Sequence, residues 1–417
     1  MAAGYFAAGK HKEIGTFEFT VRRLPRNRDF VITAGLHRAL DYLLNLRFEG
    51  SEINYLRGLP NFRNTPAEFW DYLAEFRFTG EVFAVPEGTV IYEGQPILNI
   101  RAPLIEGQIP ETYLLSAITF ETLVASKAAR IVHAAAGRDV VEFGTRRAHS
   151  PEAGVLGSRA AYIGGCTGTS NTLAGFRYGI PVMGTAAHSW VMAFETESEA
   201  FRQLQLMLGD RTIQLLDTYD VLEGAREVGR MGGPLWGVRL DSGDFLTTSK
   251  QVREILDAAG LQHAKIMASG DLDEWKIAAL VEAGAPIDAF GVGTELAVSG
   301  DAPSMGAIYK LVEIESNGET RATAKHSPEK QTLPGAKQLF RFPGYDLLAL
   351  HDECAPGSEA LLKPHIIGGN LVAELPTAEQ IRTRALEGLA SWPRPDRTTE
   401  LSFELEKLAE TIHGARE

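Results

Sequence analysis

Between residues 139 and 296 one pattern recurs: a short apolar run, a cluster of small or charged residues, then a segment with helical spacing. The runs are "DVVEFGTRR" (139–147), "IPVMGT" (180–185), "TIQLLD" (212–217), "LWGVRLD" (235–241), "AKIMASGD" (264–271) and "AFGVGTEL" (289–296). Between them apolar periodicity predicts helices over about 163–178, 197–209, 220–230, 246–259 and 273–283. Strands that are apolar along their whole length need cover on both faces. Helices between them supply it, so the sheet is expected to be parallel. At least six repeats predict an irregular (β/α) barrel; a doubly wound sheet fits the same rhythm.

The polar residues favour the barrel. Each run ends, on its carboxyl side, in Arg146, His188, Asp217, Arg239 with Asp241, Asp271, or Gly293 with Thr294. Barrel active sites are built at that face. Aspartate, serine and glycine after a strand also serve as helix caps and turns. Capping explains any one of these residues; six strand ends in succession point to a site.

Residues 116–300 are therefore assigned to the barrel. Residues 1–115 and 301–417 are assigned to a second, smaller mixed α/β domain built from both chain ends. "GTFEFTVRR" (15–23) alternates as a strand does, and 35–46 has helical spacing. "TPAEFWDYLAEF" (65–76) predicts a helix with Thr65 as N-cap, Pro66 at the first position and Glu68 at the third. Short strands with Gly and Pro turns are expected over 80–104, and strands return at 307–315, 336–342 and 360–372. Residues 377–392 and 399–414 read as terminal helices.

A chain of 417 residues is long for one domain. Its net charge of −13 opposes non-specific nucleic-acid binding, which needs a basic face. Anionic substrates remain open to it, because a local arginine cluster can hold phosphates on an acidic protein. Its two cysteines, Cys166 and Cys354, give neither a zinc spacing nor a disulfide framework. No apolar run reaches the length of a membrane span, and "MAAGYFAAGKHKE" is not a signal peptide. The expected location is cytoplasmic.

Five stretches carry chemistry. "EFGTRRAHSP" (142–151) sets Arg146 beside Arg147 at a strand end, and guanidinium forks match phosphate and carboxylate. "GSRAAYIGGCTGTSNTLAGFRYG" (157–179) runs from small polar residues into a helix, whose free N–H groups favour an anion. It is neither a dinucleotide fingerprint nor a GKS/GKT-type loop. "GVRLDSGDF" (237–245) gathers Arg239, Asp241, Ser242 and Asp244 in one turn, and a strand-end aspartate near phosphates is a natural Mg²⁺ partner. Glycines in "AFGVGTEL" suit a close backbone approach to a ligand. "IPVMGTAAHSW" drops through small residues onto His188. That imidazole is either a packed histidine in a turn or a group at the mouth of a site. The paired histidines of a barrel metallohydrolase are missing. A Schiff-base lysine is missing too: Lys265 precedes the strand core and Lys276 falls in a helix. The set suits a polyphosphorylated sugar with a small acidic aromatic.

These stretches resemble nicotinate phosphoribosyltransferases. The carriers are "EFGTRRAHSPEAG", "SRAAYIGGCTGTSNTLAG", "GIPVMGTAAHSWVMAF", "GVRLDSGD", "MASGDLDE" and "FGVGTEL", with "IYKLVEI" and "TLPGAKQLFR" later in the chain. The likeness runs over about residues 1–375. It implies an irregular barrel joined to a mixed α/β domain, in a homodimer with shared active sites. It implies condensation of nicotinate with phosphoribosyl pyrophosphate to nicotinate mononucleotide and pyrophosphate, with Mg²⁺ and with ATP as co-substrate.

On that resemblance His188 is the histidine that takes a phosphoryl group from ATP, adding charge where pyrophosphate and Mg²⁺ sit. Phe143 is one slab of an aromatic clamp on the pyridine ring. Arg146 and Arg239 bind acid and phosphate groups. Asp241 faces the ribose or Mg²⁺ and stabilises charge developing at the anomeric carbon. Gly270, Asp271, Gly293 and Thr294 form the ribose-phosphate cradle. Ser170 and Asn171 stand where nicotinamide-using relatives carry an aspartate, so nicotinate is preferred. Family members begin with a segment like "LTDLYQLTM", and this chain begins at the methionine that would end it. On the resemblance, a tyrosine of that segment stacks on the ring from a partner subunit. Two other functions remain open: transfer to quinolinate or nicotinamide, and a silent paralogue that binds ligand without turnover. A quinolinate enzyme has no phosphohistidine step and wants further basic residues.

Overall fold

The structure is a computed structural model and describes residues 1–327, 330–390 and 397–414. The chain forms two units: Met1–Leu123 with Ser304–Pro376 and Glu387–Glu417, and Val124–Pro303 with Thr377–Leu386. The helix Glu111–Ala134, which the strand–helix rhythm did not bring out, starts in the first and ends in the second.

In the second unit six strands form a parallel sheet. Their order is Gly168–Thr169, Asp139–Glu142, Ala289–Val292, Lys265–Ser269, Gly237–Leu240, Ile213–Leu215. Register is set by pairs such as Met267 with Ala289 and Val141 with Gly168. Ala289–Val292 is buried at every position, as a strand covered on both faces must be. Val141, Met267 and Ala289 cluster on one face with Phe143, Met183 and Trp236. The helices Glu197–Leu208, Val221–Met231, Phe245–Ala258 and Glu274–Glu282 alternate with the strands. Thr196, Asp220, Asp244 and Asp273 start them, each side chain accepting a first-turn N–H.

The expected strand over 180–185 is reduced to one bridge, Thr169 with Val182. Pro181 has no N–H for a ladder, and the chain then leaves the sheet through small residues. Among the described residues no ladder joins the sheet's two ends, so the assigned hydrogen bonds do not close a ring. The helix expected over 163–178 is two helices, Pro151–Ile163 and Thr172–Tyr178. Gly164 and Gly165 end the first, Gly165 at φ +110°, a conformation that glycine adopts without a Cβ penalty.

The first unit holds an all-antiparallel seven-stranded sheet. Its order is Glu319–Ala322, Gly306–Ser316, Ile14–Arg23, Pro96–Pro103, Glu81–Ala84, Lys363–Ile367, Asn370–Leu371. A four-stranded mixed sheet accompanies it, ordered Glu359–Ala360, Lys337–Arg341, Asp346–Leu350, Thr399–Leu401. Phe17, Phe19, Ile100, Tyr309 and Leu339 are buried in one core.

Three details differ from the sequence reading here. Helix Ala67–Ala74 is capped at Pro66, with no side-chain cap bond from Thr65. Residues 399–414 are not one helix: Thr399–Leu401 pairs with Asp346–Leu348 before helix Phe403–Gly414 begins. Helix Ala378–Leu389 is present, residues 391 and 392 of its expected span lying outside the described residues. Thr377–Leu386 belongs to the second unit rather than the end-built one. The Tyr162 hydroxyl donates to Glu379, and Arg382 donates to the carbonyls of Gly165 and Cys166, which holds the segment there.

Candidate active site

The site is built at the carboxyl ends of the parallel strands. Arg239 and Asp241 are two residues apart where Gly237–Leu240 ends, so their side chains leave the strand on the same face. Arg239 Nη2 donates to Asp241 Oδ1 at 2.8 Å, and Arg239 Nε donates to Ser269 Oγ at 2.8 Å. Arg239 Nη1 donates to the Thr185 hydroxyl and to the Ala186 carbonyl. Four of the five guanidinium N–H groups are thus engaged, leaving one on Nη2. Ser269 Oγ also donates to Asp241 Oδ1 at 2.5 Å. Burial disfavours the charged Asp241 carboxylate, but the Ser269 hydroxyl and the Arg239 guanidinium outweigh it. The pKa of Asp241 is therefore below the usual value, and the group is an anion at neutral pH.

His188 opens the short helix His188–Met192 after the run of small residues. Its Nδ1 lies 3.2 Å from Thr218 Oγ1, and its Nε2 lies 3.6 Å from Asp241 Oδ2. The side chain keeps 41% of its surface exposed. An imidazole held on both sides yet open to solvent is not a packed core histidine. Asp217 supports the same edge: its Oδ2 accepts from the Ser242 hydroxyl at 2.6 Å and from the Asp241 N–H at 3.1 Å. Asp217 Oδ1 is buried and has no hydrogen-bond partner among the described residues.

Phe143 follows the strand Asp139–Glu142. The Arg239 guanidinium lies 5.9 Å from its ring centroid. Gly291 makes room for that ring, since a Cβ there would stand 2.6 Å from Phe143 Cδ2. The turn is anchored from beneath by Glu142, 2% exposed, which accepts from Ser158 Oγ at 2.8 Å and Thr169 Oγ1 at 2.6 Å and from the Gly144 N–H. Asn171 is buried and its amide is used structurally: the oxygen caps helix Thr172–Tyr178 and the nitrogen donates to Thr145 Oγ1. Ser170 is exposed beside it.

Gly270, at φ +107°, packs against the Asp241 carbonyl so closely that no Cβ fits. Asp271 follows at φ +47°, its carbonyl accepting from Lys276 Nζ at 2.5 Å. A cleft of about 580 Å³ lies here, lined among others by Asp241, Ser242, Asp244, Gly270, Asp271 and Lys276. Gly293 and Thr294 sit at the end of the neighbouring strand Ala289–Val292, Thr294 opening the short helix Thr294–Ala297.

The structure thus gathers His188, Asp241, Arg239 and Phe143 in one place, Arg239 bonded to Asp241 and facing the Phe143 ring, and places Gly270 on Asp241. Arg146 stands apart: it is exposed in the turn Thr145–Arg147 and makes no ion pair or hydrogen bond among the described residues. Sequence reasoning missed Glu142 and Ser269 as parts of the site. A carboxylate in the otherwise apolar run "VVEF" was the available signal for the first; Ser269 had none beyond its place before Gly270. Among the described residues no group of three or more His, Cys, Asp or Glu side chains could hold a metal. Asp217 and Asp241 are two carboxylates joined at this edge through the Asp241 N–H. No helix among the described residues is long and apolar enough to cross a membrane.

Comparison with known proteins finds relatives along most of the chain. Residues 1–119 match the nicotinate phosphoribosyltransferase N-terminal domain, and residues 139–337 match the nicotinate phosphoribosyltransferase family. A nicotinate phosphoribosyltransferase of Mycobacterium tuberculosis is 43% identical over 413 residues, covering 96% of this chain and 87% of that one. One from Bacillus subtilis is 41% identical over 370 residues, covering 85% and 74%. The crystal structure of human nicotinic acid phosphoribosyltransferase superposes with a TM-score of 0.86 at 28% identity, over 99% of this chain and 98% of that one. The chain belongs to the nicotinate phosphoribosyltransferase family.

Proposed function

We propose that this protein condenses nicotinate with phosphoribosyl pyrophosphate, giving nicotinate mononucleotide and pyrophosphate, and couples the reaction to ATP through a phosphohistidine at His188. The observation that carries this is the exposed His188 imidazole held between Thr218 and the anionic Asp241, in a chain of this family. In the transfer the pyridine nitrogen bonds to ribose C1 as the C1–O bond to pyrophosphate breaks, the electron pair leaving with pyrophosphate. Asp241 stabilises the positive charge that develops at C1. Its low pKa keeps it ionised for that task.

Phe143 offers one face to the pyridine ring. Arg146, exposed and unengaged among the described residues, takes an acid or phosphate group, and the remaining Arg239 N–H contributes to the same end. Gly270, Asp271, Gly293 and Thr294 present their backbone N–H groups to the ribose phosphate. Ser170 rather than Asn171 is the group beside the ring, because the Asn171 amide is engaged elsewhere. A ring nitrogen of His188 accepts the γ-phosphoryl group as ADP leaves with the bonding pair; Nδ1 lies 3.2 Å from Thr218 Oγ1 and Nε2 lies 3.6 Å from Asp241 Oδ2.

Asp241 and Asp217 fit Mg²⁺: two carboxylates, one with a buried oxygen lacking a partner among the described residues, suit a cation that takes few protein ligands and keeps phosphate oxygens and water. Bound there, Mg²⁺ would neutralise diphosphate charge. The finer architecture on this reading is an irregular barrel. The His188–Thr218 contact reaches from the segment after the Val182 bridge to the residues following the end strand Ile213–Leu215, and supports it. The working form is a homodimer with shared active sites. Phe176, 87% exposed beside exposed Leu173, is the kind of apolar surface a second copy covers. The free thiols of Cys166 and Cys354 suit a cytoplasmic enzyme.

The test is product formation from phosphoribosyl pyrophosphate and Mg²⁺ with nicotinate, nicotinamide or quinolinate. Turnover with nicotinate at the highest kcat/KM is expected. A preference for either other acceptor, or binding without turnover, overturns the reading.

A further inference from the structure

Beneath the cradle lies a buried charge cluster that no step of the reaction uses. Lys127, on helix Glu111–Ala134, has no exposed side-chain surface. Its Nζ meets Glu274 Oε2 at 2.5 Å, Asp301 Oδ1 at 2.9 Å and Glu295 Oε2 at 3.8 Å. It also lies 4.9 Å from the centroid of the Trp275 ring. Arg130 Nε, one helical turn along, donates to Glu274 Oε1 at 3.2 Å.

The partners come from two separate loops. Glu274 is the first residue of the helix that follows Gly270 and Asp271. Glu295 lies in the short helix that begins at Thr294, and Asp301 lies just past it. The two loops leave adjacent strands, joined in register by Ser269 and Gly291. One ammonium therefore ties both halves of the cradle to a single helix. At the tips of these loops Asp271 and Thr294 are exposed, and Asp271 stands at φ +47° with its carbonyl held by Lys276 Nζ. The side chains of Glu274 and Asp301 are each 6% exposed, so without Lys127 the cation shared by the two loops is lost where little solvent screens the charges, Arg130 remaining on the Glu274 side.

We propose that Lys127 is a positioning residue: it sets the spacing of the Gly270–Asp271 and Gly293–Thr294 loops, and so the affinity for the 5-phosphate of phosphoribosyl pyrophosphate. This rests on the functional reading above. A residue that only stabilises the fold would lower melting temperature and active fraction and leave KM alone. A positioning residue raises KM for phosphoribosyl pyrophosphate selectively, since a misplacement of about 1 Å is enough to weaken binding.

The experiment is steady-state kinetics with both substrates varied on the full chain, comparing wild type, Lys127→Met and Asp301→Asn. The expected result is a rise of about ten-fold or more in KM for phosphoribosyl pyrophosphate in Lys127→Met, with KM for nicotinate within about two-fold of wild type. Asp301→Asn keeps the side chain's shape and carries the test where Lys127→Met does not fold; it is expected to shift the same KM in the same direction. Unchanged KM for phosphoribosyl pyrophosphate in the folded variants overturns the inference while the functional reading stands. No turnover by wild type overturns that reading, and this inference with it.

Discussion

Gly291→Ala tests whether the Phe143 ring is held where a pyridine ring needs it. The added methyl would stand 2.6 Å and 2.8 Å from two carbons of that ring, and 3.1 Å from Ser269 Cβ. Carbon atoms at rest sit at about 3.5–4.0 Å, so the ring must retreat by about 1 Å. Overpacking of this kind costs about 1–3 kcal/mol, or about 2–4 °C in melting temperature for each kcal/mol in a unit of this size. Gly184→Ala is the control, because nothing lies within 4 Å of its Cβ position. The assay is thermal unfolding with steady-state kinetics. Gly291→Ala is expected to melt lower than the control and to raise KM for nicotinate more than KM for phosphoribosyl pyrophosphate. Adding Phe143→Leu to Gly291→Ala should recover stability but not nicotinate binding, a non-additivity that contacting residues show. A lower melting temperature with unchanged KM for nicotinate would refute the role of the ring. An unchanged melting temperature would refute the packing argument itself.

Glu197 carries a pH prediction. Burial first, then the charges of Glu227 and Asp220, push its pKa up from 4.5 to about 7. A carboxyl raised on folding contributes stability below its unfolded pKa, and that contribution is lost as pH rises through the folded value. Glu197→Gln should therefore melt higher than wild type at pH 8 by the equivalent of about 1 kcal/mol, a figure reduced for a half-exposed group. At pH 4 the two should coincide; a difference independent of pH in melting scans would contradict this assignment. Ser170→Asp sets a carboxylate beside the proposed ring site and should raise KM for nicotinate about ten-fold, leaving nicotinamide inhibition unchanged or stronger. Equal effects on both ligands would place Ser170 away from the ring.

The parallel sheet was legible because burial on both faces leaves a continuous apolar run, as in "AFGV", and because Thr196, Asp220, Asp244 and Asp273 mark helix starts locally. The same residues show why strand-end aspartates were ambiguous. Asp220, Asp244 and Asp273 are caps, whereas Asp217 and Asp241 face the site. Spacing cannot separate a cap from a ligand, since the choice depends on where the next helix starts. Gly168–Thr169 went unseen because two residues give no periodicity. The helix Glu111–Ala134 was overlooked although its alanine-rich sequence favours helix. The Arg239–Ser269–Asp241 contacts join different strands, and only the register of Gly237–Leu240 on Lys265–Ser269 brings them together. The attachment of Thr377–Leu386 through Tyr162 is likewise a long-range fact, with no local trace.

The most direct test of the central claim is the rate of nicotinate mononucleotide formation from nicotinate, phosphoribosyl pyrophosphate and Mg²⁺, measured with and without ATP on wild type and on His188→Ala. The account predicts that ATP stimulates wild type and has no effect on the variant, which keeps a residual ATP-independent rate. Equal stimulation of both proteins, or turnover indifferent to ATP in wild type, would contradict it and leave His188 without the phosphoryl-accepting role.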